Sequence, residues 1–359
     1  MSPPKTLEEA IATIPDQPLQ GWDLAAGCKP EGTFDRIVFA GMGGSLQGAE
    51  LLLAGLSAPP PAGGKPFILP THLVRDYALP AAAAERTLVL AISYSGNTEE
   101  TLSAFQDARD RGCATVAVAS GGELLARAEK DRVPSVRLPA GFQPRCTIGL
   151  QLGALARILH SAGLGPELRE AFAGVRSHLL QSNAKARAEV IAPHLLGTVP
   201  IFYTSERYRP LGFICKAKLN ENAKMLAFHN TFPEMNHNEL TGYQNSRAQA
   251  RFHALILRDP EDHPRVLKRY AITTQVLHGC GAGVTVTNLT GPTFWAKCFD
   301  AMVLADWLSL ALAKANNADP LPVPLVEELK QRLKEQREGP DADCGLRPAI
   351  AAPAPRPEQ

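Results

Sequence analysis

An alternation of short aliphatic runs with amphipathic stretches leaves this chain few folds to choose from. RIVFAG (36–41) precedes SLQGAELLLAGL (45–56), THLVRD (71–76) is a further strand candidate, and TLVLAISYS (87–95) precedes NTEETLSAFQDARDRG (97–112). ATVAVAS (114–120), the helical GELLARAEKD and VPSVRLPA (133–140) continue the series, and a helix beginning near Arg145, RCTIGLQLGALARILHSAG, closes it. Strands that are apolar at nearly every position are covered on both faces, and strands joined by helices run parallel. The pattern predicts an α/β chain built on a parallel β-sheet flanked by helices.

The alternation then repeats. Residues 166–197 read as a long helical connector. After it, VPIFYTS (199–205) reads as a strand, RPLGFICKAKLNENAKMLAF (209–228) as a helix, and FHALILRD (252–259) and GVTVTNL (283–289) as strands with a helix between them. The helices PTFWAKCFDAMVLADWLSLALAKAN and PLVEELKQRLKEQ (324–336) follow. The expected organisation is therefore an N-terminal half (1–165), a connector (166–198), a C-terminal half (199–338) and a loose tail (339–359). The halves repeat in pattern and not in residue identity. SAPPPAGGKP (57–66) is a loop by composition.

With 359 residues there is room for two such halves, and 45% hydrophobic against 20% charged content suits a globular chain with a full core. Lys+Arg 37 against Asp+Glu 36 gives no electrostatic reason to expect nucleic acid or a membrane surface as partner. Seven cysteines without a CxxC suggest free thiols in a reducing compartment, and MSPPKTLEEA has no apolar leader core, so a cytoplasmic location is expected. There is no HExxH and the nine histidines show no ligand spacing, so no metal is expected.

Two strand ends are polar and small: AGMGGSLQG (40–48) and SYSGNTEET (93–101). In an open parallel sheet, ligands bind beyond the carboxyl ends of the strands, and each loop leads into a helix whose free N–H groups favour an anion. A dinucleotide GxGxxG needs Gly at 46, where Leu46 stands, and a phosphate-binding GKS/T needs a lysine that is absent. Gly43, Gly44 and Ser45 remain, with Ser93, Ser95 and Thr98 in the second loop. Read alone, the second loop is equally a capped turn with Asn97 or Thr98 as N-cap. Two such loops on adjacent strands favour an anion cradle.

The second half contains LNENAKMLAFHNTFPEMNHNELTGY (219–243). Glu221 sits within a helix between two asparagines, and His237 lies between two asparagines at the start of a short helix. Taken singly, both read as surface residues. A carboxylate and an imidazole near one phosphate site are a pair suited to acid–base work on a sugar. In GFQPRCTIG (141–149), Arg145 follows a proline and opens a helix; an arginine there suits an oxyanion, although in isolation it reads as a surface arginine.

In their order, GMGGS, SYSGNTEET, QPR, NENAK and NHNE resemble the bifunctional phosphoglucose/phosphomannose isomerase family of the sugar isomerase (SIS) superfamily. The resemblance runs from about residue 35 to the DPLPVPLVEELKQRL helix. It implies two SIS-type subdomains and a homodimer with active sites at the subunit interface. It also implies that Gly43, Gly44, Ser45, Ser93, Ser95 and Thr98 bind the sugar phosphate. Glu221 would move the proton between C1 and C2, and His237 from the partner subunit would assist ring opening. Arg145 would stabilise the enediolate, and Lys330 matches a lysine in the family's last helix. No metal or redox cofactor is needed for that chemistry. The chain departs from the pattern at Cys146-Thr147, where small residues such as Ser and Ala are expected. It departs again at DPLPVP, which lacks the small hydroxylated residue associated with room for both C2 epimers. That favours the glucose over the mannose activity. A non-catalytic phosphosugar-binding SIS module, or a SIS isomerase of another sugar phosphate, are the alternatives. The joint presence of Glu221, His237, Arg145 and Lys330 argues against the first.

Overall fold

A computed structural model describes residues 3–57, 67, 69–245 and 251–335. All but Ser57 of the loop expected at 57–66, the tail expected from 339, Cys344 and the last residue of the helix expected at 324–336 lie outside the described residues.

Two parallel sheets carry the chain. The first holds β1 (Arg36–Gly41), β2 (Thr71–Val74), β3 (Thr87–Ile92), β4 (Ala114–Ala119) and β5 (Ser135–Arg137), in the order β2-β1-β3-β4-β5. The second holds β6 (Val199–Ser205), β7 (Phe228–Phe232), β8 (Phe252–Arg258) and β9 (Gly283–Asn288), in the order β7-β6-β8-β9. The central strands are buried along nearly their whole length, as their unbroken apolar runs require. In each sheet the chain reverses its winding direction beside the first strand, and that is where open α/β sheets take ligands.

The faces of the two sheets share a core. One buried cluster takes Ile37, Phe39, Leu88 and Leu90 from the first sheet and Phe202, Leu255 and Leu257 from the second. Between them it collects Leu46 and Leu52 of α3 (Gly44–Leu56), Leu152 and Leu155 of α6 (Ile148–Ser161), and Leu211 and Leu219 of α9 (Arg209–Asn222). Phe299 and Leu308 of the long helix Phe294–Ala315 complete it. The outer face of the first sheet packs Val38 and Val89 on Ala104 and Ala108 of α4 (Glu99–Asp110). The outer face of the second packs Tyr203 and Ile256 on Tyr270 and Leu277 of the helix Pro264–Gly279. The chain divides into two compact units, Met1–Leu321, which holds both sheets, and Pro322–Gln359, which holds the helix Pro324–Glu335.

The structure revises three expectations. The connector is two helices, Arg169–Leu179 and Ala184–Leu195, and not one. Ser182 breaks it: its hydroxyl accepts the Ala184 N–H and donates to buried Asp300, which competes with helix continuation. The helix expected over 209–228 stops at Asn222, and Phe228–Phe232 is an edge strand. Lys224 ends the helical run in a left-handed conformation (φ 54°). Arg145 does not open α6. It lies in a single 3₁₀ turn, Pro144–Cys146, and α6 starts at Ile148. The Cys146 carbonyl accepts from the Gln17 side chain at 2.6 Å and is withdrawn from the helix.

No helix among the described residues is long and apolar enough to cross a membrane.

Candidate active site

β1 and β3 are neighbours in register, with Gly41 opposite Ile92, so the GMGGS and SYSGNTEET loops leave the sheet side by side. The buried Ser45 hydroxyl accepts the Tyr94 N–H at 2.9 Å and ties one loop to the other. Ser93 is fully buried; its Oγ accepts the Gly96 N–H at 3.1 Å and shares a 2.9 Å hydrogen bond with Thr98 Oγ1. Ser95 is exposed, and its hydroxyl accepts the Asn97 N–H at 3.3 Å.

These contacts bear on the capped-turn reading of the second loop: neither Asn97 nor Thr98 caps α4 with its side chain. Thr98 occupies the N-cap position of α4 with extended backbone, yet its side chain makes no capping bond and turns to Ser93 instead. Asn97 caps a different helix: its Oδ1 accepts the Glu123 N–H of α5 (Gly122–Lys130) at 3.0 Å. The first turn of α4 thus has no side-chain cap, which leaves its N–H groups for a ligand or water. The loop is fixed from below by Gly96, whose φ is +72° and whose missing Cβ would lie 1.9 Å from the Gly121 carbonyl oxygen. Gly96→Ala is expected to cost at least about 1–2 kcal/mol from the left-handed backbone alone. A thermal melt checks this, with Tm lowered by roughly 2–3 °C or more.

The first loop also reaches the third segment. A Cβ on Gly44 would stand 3.0 Å from the Arg145 backbone nitrogen, so glycine lets α3 begin against the QPR turn. Arg145 is 2% exposed, and all five of its N–H groups are used. Nη2 donates to the Pro320 and Leu321 carbonyls at 2.8 and 2.9 Å, and Nε donates to Asn222 Oδ1. Nη1 donates to Gln143 Oε1 at 3.3 Å and to Glu221 Oε2 at 2.9 Å. Glu221, in the last turn of α9, is half-buried and keeps one carboxylate oxygen free of this bond.

The three residues of NEN divide three tasks. Asn220 Nδ2 donates to the Met225 carbonyl at 2.9 Å and pins the chain where it leaves α9. Glu221 faces Arg145, and Asn222 is buried beneath it. Lys224 brings another cation alongside, its ammonium donating to the Glu221 carbonyl at 2.6 Å.

His237 stands apart from this cluster. It follows β7 and the 3₁₀ turn Glu234–Asn236, is exposed, and has no hydrogen bond or ion pair to Glu221 or Arg145 among the described residues. Lys330 lies on the exposed helix Pro324–Glu335 of the second compact unit.

The corresponding strand ends of the second sheet, β6 and β8, hold no such cradle. Asp262 accepts from Ser205 Oγ at 2.8 Å and Tyr270 Oη at 3.1 Å. Asp259 accepts from Tyr208 Oη at 2.6 Å and Lys297 Nζ at 2.9 Å. Burial pushes the Asp262 carboxyl above its ordinary range. The strand ends of the second sheet thus carry the carboxylates of buried Asp259, paired with Lys297, and half-buried Asp262 in place of free hydroxyls. Among the described residues no group of three or more His, Cys, Asp or Glu is placed to hold a metal ion.

Reading the sequence for chemistry missed Asn222, Lys218, Asp306, Ser309, Lys224 and the Pro320–Leu321 carbonyls. A signal existed for some of them. Asp306 interrupts an otherwise apolar helix, MVLADWLSLAL, and a charge there needs a buried partner.

The class is an α/β protein of two parallel sheets, with a hydroxyl-bearing loop pair on the first sheet and a buried Arg145 paired with half-buried Glu221. The bacterial phospho-glucose isomerase C-terminal SIS domain pattern matches residues 184–333. The bifunctional phosphoglucose/phosphomannose isomerase of Aquifex aeolicus (strain VF5) is 34% identical over 314 residues, covering 87% of this chain and 94% of that one. The protein of the same description from Caldicellulosiruptor bescii is 32% identical over 347 residues, covering 91% and 98%. Among solved structures, the C-terminal domain of glucosamine-fructose-6-phosphate aminotransferase from Francisella tularensis superimposes with a TM-score of 0.66. It is 12% identical over 88% of this chain and 98% of that one, a likeness of fold. The chain belongs to the bifunctional phosphoglucose/phosphomannose isomerase family.

Proposed function

We propose that this chain interconverts fructose 6-phosphate with glucose 6-phosphate, and with mannose 6-phosphate as well, by moving a proton between C1 and C2 through an enediol(ate). One observation carries the reading. Residues 145 and 221, far apart in sequence, form an ion pair, and the turn that carries Arg145 abuts Gly44 of the first hydroxyl loop.

The phosphate is held by Ser45, Ser93, Ser95 and Thr98 with the Gly43–Gly44 backbone and the uncapped start of α4. Held there, it serves as a handle that orients the reacting carbons. Glu221 takes the C1 proton of the open-chain ketose and returns it to C2, while the O1 proton passes to O2. Delivery to one face of C2 gives glucose 6-phosphate, and delivery to the other gives mannose 6-phosphate. Arg145 supplies positive charge beside the enediolate. Its N–H groups are all occupied, so it acts through charge and through its grip on Glu221 rather than through a new hydrogen bond.

His237 assists ring opening from the partner subunit of a homodimer; its exposure and its separation from the Arg145–Glu221 pair support that placement. The family resemblance alone assigns Lys330 a part in the reaction. The reaction needs no metal or redox cofactor. Six described cysteines are free thiols, which supports a reducing, cytoplasmic setting.

Incubation of the pure protein with fructose 6-phosphate is expected to yield both aldose 6-phosphates. If neither forms while fructose 6-phosphate still binds, the chain is a phosphosugar-binding module and the enzyme reading fails. Ser93→Ala combined with Thr98→Ala is expected to raise KM for fructose 6-phosphate by about tenfold or more, since hydrogen bonds to a charged group are strong. Steady-state kinetics check it, and an unchanged KM removes the cradle.

A further inference from the structure

Beneath the Arg145–Glu221 pair lies a ring of buried polar groups that the proposed reaction does not itself use. Asn222 Nδ2 donates to Ser309 Oγ at 2.9 Å, and Ser309 Oγ donates to the Asp306 carbonyl at 2.8 Å. Lys218 Nζ donates to both Asp306 carboxylate oxygens, at 2.7 and 2.8 Å, and to the Arg145 carbonyl at 3.4 Å. Asn222 Oδ1 closes the ring by accepting from Arg145 Nε. Every member is at most 2% exposed.

The geometry follows from helix periodicity. Lys218 and Asn222 are four residues apart on α9, and Asp306 and Ser309 three apart on Phe294–Ala315, so each pair shares one face. Glu221, one residue from Asn222, is turned toward the surface end of the same arginine. The ring grips Arg145 at two points, its carbonyl and its Nε, and those grips fix both the backbone and the plane of the guanidinium. The remaining guanidinium donors then have determined directions, one of them toward Glu221.

Stability gives no reason to build this. Removing two charges from water is costly, and an apolar pair of similar volume serves a core at least as well. A buried, fully satisfied network is, however, an effective way to impose one orientation.

We propose that Lys218, Asp306, Ser309 and Asn222 are positioning residues that set Arg145, and through it Glu221, for proton transfer. The inference rests on the assignment of Glu221 as the base. It predicts a loss in turnover separable from a loss in folding or substrate capture.

The test is the double variant Lys218→Met with Asp306→Leu, which fills the same space with apolar groups. With fructose 6-phosphate as substrate, well below Tm, kcat is expected to fall by about 10²-fold through misplacement of the base. KM is expected to stay within about twofold, because the phosphate loops are untouched. A folded double variant with wild-type kcat overturns the proposal. Should the double variant fail to fold, Ser309→Ala removes a single hydroxyl and reads the same ring. A reduced kcat at unchanged KM supports the role, and an unchanged kcat overturns it. Glu221→Gln is assayed in parallel. If it is inactive while the ring variants keep full kcat, the positioning role alone fails. If it remains active, the base assignment fails.

Discussion

Glu221→Gln is expected to lower kcat by roughly 10²–10⁴-fold, the range that a positioned acid–base group contributes. The amide has nearly the shape of the carboxylate and still accepts a hydrogen bond from Arg145 Nη1, now at 2.9 Å from Oε2. It has no basicity with which to take a proton from carbon. Under the proposed function substrate capture is assigned to the loops at 43–45 and 93–98, so fructose 6-phosphate should bind with near-normal affinity. Calorimetry for binding and a coupled assay for turnover separate the two effects. Near-normal turnover removes Glu221 from the mechanism.

The second large effect is expected at Arg145. Arg145→Met leaves Asn222 Oδ1, the Pro320 and Leu321 carbonyls and Glu221 without their donor, at a site only 2% exposed. Loss of one partner from such a buried network costs about 3–5 kcal/mol, and Tm is expected to fall by roughly 5–7 °C. Arg145→Lys keeps the charge but offers three donors from one point in place of five in a plane. It should fold better than the methionine variant and still lose about 10²-fold in kcat. Melting curves and kinetics on both variants check this. If Arg145→Lys matches the wild type in both, the arginine has no special part in the site.

How far the sequence discloses this arrangement depends on the kind of interaction. The central strands of the first sheet, β1, β3 and β4, are legible because they are buried along nearly their whole length and therefore almost wholly apolar. β7 is not legible: FHNTF carries three polar residues, begins at a half-exposed Phe228 and lies at the edge of its sheet. The break near Ser182 is hidden because its cause, the bond to Asp300, comes from a residue more than a hundred positions away. In the site, the hydroxyl loops are legible because their composition has few other uses. What each residue does is set by tertiary partners. Thr98 looks like a cap and instead pairs with Ser93, while Asn97 caps α5 across the loop. Arg145 could be singled out, but its link to Glu221 required α9 to pack on the QPR turn. Of the ring of Lys218, Asp306, Ser309 and Asn222, only Asp306 leaves a trace in the sequence, as a charge within an apolar helical stretch.

The central claim is that the carboxylate at 221 removes hydrogen from sugar carbon as a proton. Exchange with solvent reads that step even when no net product accumulates. Fructose 6-phosphate is incubated in D₂O with the wild-type protein or with Glu221→Gln, and deuterium on carbon is followed by NMR. The wild type should place deuterium at C1 of the recovered ketose and at C2 of the aldoses, and the variant should place none above background. Incorporation by Glu221→Gln at the wild-type rate would contradict the account.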